Sequence, residues 1–514
     1  MGRALCFLTA AMALLLSLPL AADPADIDAA ARGVVRVVVI GSDGQEIYPV
    51  SHGTGFAVTP TRVVTNAHVL GEALEDDALR VGVVPADGEA AVYARIVAVS
   101  ERNDLALLQI TGSLRLPPLP IASSAAVGSG EVVAVGYPQN VDQAQGLELQ
   151  DILRSQPPVK SRGYLSGSRP ARQYDTILHT APIARGNSGG PLLDACGRVV
   201  GVNSFGTDGG AGAEFFFAVS ARELLPFLRN NGVQAQVTNL PCRSLAEIEA
   251  EERERAQALA DAAEARSATA AEALRARRER AQLEAQLAVL QERENHMAAA
   301  FLLTLLACGA ATAAWQLGRG EHGQRNRLVG TGLAGAALLG AFAAWLTRPG
   351  LEAIDERVNS MLEGSGNPLP DAGSEAAMAA AKGQFVCRLE VDRSRITGTT
   401  GGDVAFGWRP DGCVNGRTQY ASAGDGIWRR VLVPDDAELV SVQSFRPDSR
   451  TLVTERYLLD RTALRDLRTL RGGIEAPACG TQGAGEALAR AQQALLDKLP
   501  ARPNERLVYR CNPS

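Results

Sequence analysis

Residues 247–294 contain neither glycine nor proline and are built almost wholly of alanine, glutamate, arginine, glutamine and leucine. Nothing in such a run breaks a helix, so it propagates as one long one. At a rise of 1.5 Å per residue it spans roughly 70 Å. Leu283, Leu287 and Leu290 keep a 4-3 apolar spacing, but upstream of them the stripe is mostly alanine. A weakly specified coiled coil and a solvated rod both fit residues 243–296. Two uncharged apolar stretches follow, residues 298–317 and 328–346. Each is long enough as a helix to cross a hydrocarbon core of about 30 Å. Gly330, Gly332, Gly335 and Gly340 give the second the small-residue surface that lets helices approach in lipid, and Trp315 and Trp345 sit near span ends. Arg319, Arg325 and Arg327 in the connecting loop place it in the cytoplasm by the positive-inside rule. Two buried helices of a soluble domain are the competing reading, but a pair around a basic loop favours a membrane hairpin. The soluble parts before residue 243 and after residue 350 then share one extracytoplasmic side.

Residues 1–22 carry Arg3, an apolar run and small residues at 21 and 22, the pattern of a signal peptide cleaved near Ala22. Residues 27–235 show short β-branched runs separated by Gly, Pro and Asp clusters, which suits a sandwich or barrel. The sharpest feature there is Gly186-Asn187-Ser188-Gly189-Gly190-Pro191. A serine among glycines can sit on a tight turn whose N–H groups converge on one point. A serine nucleophile needs a base and an orienting group. Of five histidines, His68 closes Thr65-Asn66-Ala67-His68 just beyond a hairpin turning at Thr59-Pro60-Thr61-Arg62. Asp104, in Asn103-Asp104-Leu105-Ala106-Leu107-Leu108, lies between two apolar runs and so needs a polar partner such as an imidazole. His52 and His179 are read as packing or cleft-lining residues.

With these three motifs in this order, the stretch from about residue 30 to 230 resembles the trypsin-like serine proteases, and within them the HtrA/Deg type. The resemblance implies an all-β double barrel with its active site between the halves. It makes His68 the general base, Asp104 its orienting carboxylate and Ser188 the nucleophile. It places the oxyanion hole at Gly186, Asn187 and Ser188. Ile183 and the strand Asn203-Ser204-Phe205-Gly206 become the substrate-binding wall. Pro182 stands where proteases that cut after Arg or Lys carry an acid, so a small or aliphatic residue before the cut is expected, although Glu214 near the far wall argues the other way. PDZ domains usually follow in this family, and no such pattern is present. Protein or peptide substrates, no cofactor and possible homo-oligomers through the protease domain or the rod complete that implication. The rival is a latent or non-catalytic trypsin-like scaffold; autoprocessing is a third option.

The balance of 51 basic and 57 acidic residues, net −6, gives no sign of nucleic-acid binding. Residues 350–382 read as a linker with a helical portion, and residues 383–514 as an extracytoplasmic α+β domain of no recognisable family. That domain contains Cys387, Cys413, Cys479 and Cys511. In an oxidising compartment they form two disulfides in one of three pairings. Their spacing does not suit zinc. Cys196 either pairs with Cys242 or packs as a free thiol. The chain is thus expected in a bacterial inner membrane, with both soluble parts on the periplasmic side.

Overall fold

The computed structural model describes residues 24–513 except 45, 89, 124–129, 171–173, 208–213, 318–322, 364–382, 399–400, 415–416, 423–425, 436 and 438. The expected signal peptide lies outside the described residues. The chain divides into two compact units: one combines Met1–Glu252 with Ala372–Ser514, and the other is Arg253–Asp371.

In the first unit, strands β1 (Val34–Ser42), β2 (Ile47–Thr59), β3 (Arg62–Thr65), β4 (Arg80–Pro85), β5 (Val92–Ser100) and β6 (Leu105–Ile110) close into a barrel. The first strand shows why its sequence can be apolar on both faces. Val35, Val37 and Val39 point into the barrel, while Val34 and Val38 pack against other clusters outside it. Strands β7 (Ile121–Ala122), β8 (Glu131–Gly136), β9 (Val159–Pro170), β10 (Asp175–His179), β11 (Pro191–Asp194), β12 (Val199–Gly206) and β13 (Phe216–Ser220) follow. Six of them close a second barrel in the order β11-β8-β9-β10-β13-β12, with β12 returning to β11. The short β7 and β14 (Val237–Thr238) extend its edge in parallel. A seam containing Phe56, Leu105 and Leu107 from one barrel and Val135, Leu193 and Val202 from the other joins the two. This double barrel is the expected architecture. Residues 138–167 hold two short helices, Gln139–Ala144 and Leu149–Ile152, and most of the twelve-residue strand β9.

Residues 383–513 fold into a seven-stranded antiparallel sheet. Its strands are β15 (Gly383–Leu389), β16 (Val404–Trp408), β19 (Ala421–Ser422), β20 (Trp428–Leu432), β21 (Leu439–Arg446), β22 (Thr451–Leu458) and β23 (Glu505–Pro513). Their order is β16-β15-β23-β22-β21-β20-β19; β17 (Cys413–Val414) and β18 (Arg417–Thr418) make a separate ribbon. Helices Arg461–Gly472 and Ala484–Leu496 bury Leu464, Leu467 and Leu495 against Val431, Val440 and Val442 of the sheet. The cysteines pair as Cys387–Cys511 and Cys413–Cys479, and Cys196 pairs with Cys242.

In the second unit, the charged run and the first apolar stretch prove to be one uninterrupted helix, Leu245–Leu317, which begins in the first unit. Gly309 does not break it, since a lone glycine costs a helix only about 1 kcal/mol. Gly323–Leu346 and Ala353–Glu363 are the other helices. Among the described residues, two helices are long and apolar enough to cross a membrane by length and composition. They touch closely at Gly330, where a Cβ would stand 2.5 Å from that of Ala314. Beyond the apolar part, Ala281 and Ala285 pack on Val358, and Arg357 pairs with Glu292 at 3.0 Å.

Candidate active site

The site forms where strand ends of the two barrels face each other. His68 is the first residue of the 3-10 turn His68–Leu70, directly after β3, and its side chain is half exposed. Asp104 ends the turn Glu101–Asn103 with φ 51°, a left-handed conformation that aspartate tolerates. That turn aims its carboxylate back at His68: Oδ2 lies 2.9 Å and Oδ1 3.0 Å from the ring Nδ1, and the His68 N–H also donates to Oδ1 at 3.1 Å. The buried Asn66 amide donates to the Asp104 carbonyl at 2.6 Å, fixing the turn itself. Ser204 donates its hydroxyl to Asp104 Oδ2 at 2.6 Å. Burial alone would raise the Asp104 pKa, but the His68 ring, the Ser204 hydroxyl and the His68 N–H outweigh it and hold the carboxyl below the ordinary range. The aspartate is therefore charged and faces an imidazole whose Nδ1 is committed to it.

Ser188 enters from the second barrel on the turn between β10 and β11. Two glycines make that turn. Gly186 has φ 95°, and a Cβ there would meet the Tyr137 carbonyl at 2.2 Å; Gly189 has φ 85°, and a Cβ would stand 2.2 Å from the Thr54 carbonyl. The first barrel clasps the turn from below. Thr54 donates its N–H to the Ser188 carbonyl at 2.9 Å and its hydroxyl to the Gly186 carbonyl at 2.6 Å. The Ser188 hydroxyl donates to the Ser204 carbonyl at 3.0 Å. Among the described residues, the N–H groups of Gly186 and Ser188 have no acceptor, which leaves two adjacent donors for a ligand oxygen. The Asn187 N–H is spent on the Ala184 carbonyl at 3.0 Å, so the third donor expected of the oxyanion hole is closed in this arrangement.

The expected substrate wall divides on inspection. Phe205 is exposed and stacks on Phe217 with ring centroids 4.7 Å apart; Gly206 pairs with Phe216 across β12 and β13. Ile183 is half-buried against the second barrel's interior. Asn203 points the other way. Fully buried, it donates its side chain to the Pro191 carbonyl at 3.0 Å, and its N–H and carbonyl bond to Gly190 and Gly189. It holds the serine turn and offers a substrate nothing. Ser204 does more than line a wall, because its hydroxyl sits on the aspartate. Glu214 is exposed, and residues 208–213 beside it lie outside the described residues.

A cleft of about 800 Å³ contains both His68 and Ser188, together with His52, Asp142 and Arg185. Asp142 is held by Arg36, a fully buried cation on the outer face of β1, at 2.5 and 3.1 Å. Burial pushes the His52 ring below the ordinary imidazole range, and the Arg36 charge adds to the effect. Sequence reasoning missed this Arg36–Asp142 pair. The one available signal was the arginine interrupting Val34-Val35-Arg36-Val37-Val38-Val39.

Residues 53–202 match the family model described as "Trypsin-like peptidase domain". The chain is 34% identical over 207 residues to serine protease HTRA2, mitochondrial, of Bos taurus, which covers 39% of this chain and 41% of that protein. It is 34% identical over 177 residues to the magnetosome formation protease MamE of Magnetospirillum gryphiswaldense, 33% of this chain and 20% of the relative. It is also 33% identical over 157 residues to a probable periplasmic serine endoprotease DegP-like of Pseudomonas fluorescens, 30% and 29% of the two chains. The double barrel is a trypsin-like serine protease domain of the HtrA type. The chain spans less than half the length of these relatives, and the family model covers residues 53–202.

Proposed function

We propose that this chain is a membrane-anchored serine endopeptidase of the bacterial envelope. The carrying observation is that one cleft holds Ser188 and a His68 ring fixed by a charged, half-buried carboxylate. In this reading His68 Nε2 takes the Ser188 proton as Oγ attacks the scissile carbonyl. Asp104 stabilises the imidazolium, and the Gly186 and Ser188 N–H groups receive the oxyanion. His68 then protonates the leaving amine, and a water activated by the same ring releases the acyl group. The two apolar helices would anchor the chain, with both soluble parts on the periplasmic side of the inner membrane. The residue before the cut would be small or aliphatic, lying between Ile183 and Phe205.

A second reading, a latent resting state, has its own support: the Ser188 hydroxyl is turned to the Ser204 carbonyl, so it must rotate before His68 can take its proton. The test is labelling of the detergent-solubilised chain with a fluorophosphonate probe, alongside casein cleavage, in wild type and Ser188→Ala. Serine-dependent labelling with cleavage supports the active enzyme. Labelling without cleavage supports latency, and no labelling of folded protein would sink both readings in favour of a non-catalytic scaffold.

A further inference from the structure

Two open donors beside Ser188 are useful only if something aims them. The Arg185–Gly186 peptide is trans, so its carbonyl and its N–H point in opposite directions. Whatever holds the Arg185 carbonyl therefore sets the direction of the Gly186 N–H. The holder is the Gln139 N–H, which donates to it at 2.7 Å and is the first N–H of the helix Gln139–Ala144. That N–H has no acceptor within its own helix, so the outward bond takes nothing from the helix. Gln139, Arg185, Gly186 and Ser188 all line the cleft.

The helix has six residues, too few to persist in water on their own hydrogen bonds. Its anchor is the buried Asp142, gripped by both Nη atoms of Arg36 at 2.5 and 3.1 Å. Arg36 Nη2 also reaches Gln156 Oε1 at 3.4 Å, and the guanidinium lies 4.7 Å from the centre of the Tyr137 ring. The Tyr137 hydroxyl donates to the Gln156 carbonyl at 3.0 Å, and the carbonyl of the same tyrosine is the wall that a Cβ on Gly186 would strike. His52 fills the space between: its Nε2 lies 3.9 Å from Asp142 Oδ2, and its Cε1 lies 3.0 Å from where that Cβ would stand. Arg36 stands in β1, paired on both sides with β2 and β4, so the grip is rooted in the first barrel. A buried ion pair seldom makes a fold more stable than two apolar side chains of similar volume would. Two parallel N–H···O bonds do fix an orientation, which an apolar contact leaves loose.

We propose that Arg36 is a positioning residue for the oxyanion hole. Through Asp142 it fixes the short helix; through the Gln139 N–H the helix fixes the Arg185 carbonyl; and the Gly186 N–H is thereby aimed into the cleft. Arg36 itself is 1% exposed and touches no substrate. The role rests on the proposed endopeptidase reading, in which the Gly186 N–H receives the oxyanion.

Arg36→Met alone would strand a buried carboxylate, so the test uses Arg36→Met together with Asp142→Leu, an apolar pair, in the detergent-solubilised full chain. A fluorophosphonate probe places its phosphonyl oxygen in the oxyanion hole as Ser188 attacks, and its kinact and KI are measured separately. Loss of one aimed donor should lower kinact by about 100-fold, with KI within about twofold of wild type and the thermal midpoint nearly unchanged. An unchanged kinact, or a loss shared with KI and the midpoint, would overturn the positioning role. Amide hydrogen exchange in the Ser188→Ala background, followed by mass spectrometry, needs no activity at all. There the segments 139–145 and 184–190 should lose protection together in the paired variant, and protection retained in either would overturn the coupling. If the wild-type chain shows no serine-dependent labelling, the endopeptidase reading fails, and the exchange result decides the coupling by itself.

Discussion

Arg395 tests whether the C-terminal domain is an integral part of the protease body. It follows the turn Val391–Arg393 and reaches the N-terminal helix Pro24–Ala31, where its Nη2 pairs with Asp26 Oδ2 and its Nη1 lies 3.3 Å from Oδ1. The guanidinium also donates to the Arg243 carbonyl at 3.0 Å and to the Asn504 carbonyl, and the Asn504 amide reaches Asp26 at 3.3 Å. The two side chains are 3% and 5% exposed, so water cannot replace either partner. Arg395→Met keeps the stem's volume but takes the cation away from a buried carboxylate. Breaking a buried pair from one side costs about 3–5 kcal/mol. Asp26→Asn removes a charge while two carbonyls still accept from Arg395, and should cost about 1–3 kcal/mol. Joined in one chain, Asp26→Asn and Arg395→Met should cost clearly less than the sum, with a coupling of about 2 kcal/mol or more. Urea unfolding of the detergent-solubilised chain, followed by near-UV circular dichroism, measures this. Trp408 and Trp428 in the C-terminal core make that signal report the domain under test. An Arg395→Met loss below about 1 kcal/mol, or additivity in the double variant, would refute a buried clamp between the two.

Other expectations follow from the barrel site. Asp104→Asn should lower kcat/KM on a peptide substrate by about four orders of magnitude by misorienting the imidazole, with folding intact by circular dichroism. Ser204→Ala, which removes one charge-assisted bond to Asp104, should cost about tenfold in the same assay. Gly189→Ala combines a left-handed backbone with a Cβ 2.2 Å from the Thr54 carbonyl, so a loss of at least about 2 kcal/mol in thermal unfolding is expected, together with loss of probe labelling. His179 is fully buried, and burial depresses its pKa from 6.5 to about 4. The unfolded chain binds that proton first, so this contribution is complete above pH 6.5 and is lost as pH falls towards 4, by about 3 kcal/mol in all. His179→Phe should flatten the stability profile across that window; an unchanged slope would show that the ring titrates freely.

Much of the site was legible because each motif is a local geometric device. Gly186 and Gly189 mark the positive-φ turn at Ser188 without help from the rest of the chain, and Asn103-Asp104 marks a turn between apolar strands. Strand β9 was not legible. Its exposed and half-buried residues alternate without an apolar stripe, and its pairing with β8 and β10 holds it in place. Asn203 was misplaced for a related reason: a strand sequence gives the alternation of faces, but a register shift between Asn203 and Phe205 changes which residue looks inward. Arg36–Asp142 and Asp26–Arg395 join residues more than 100 positions apart, and no spacing rule couples them.

The sequence by itself determined the long helix, the two apolar spans and the positive-φ turn at Ser188, while the double barrel and the candidate triad were read through resemblance. Composition, period and turn chemistry act over a few residues and need no partner. Tertiary structure alone decided the cysteine pairing, the commitment of the Ser204 hydroxyl to Asp104 and the clamp that makes N-terminal helix, barrels and C-terminal sheet one body. Such features depend on which surfaces meet, and burial then fixes which charges and donors must find one another.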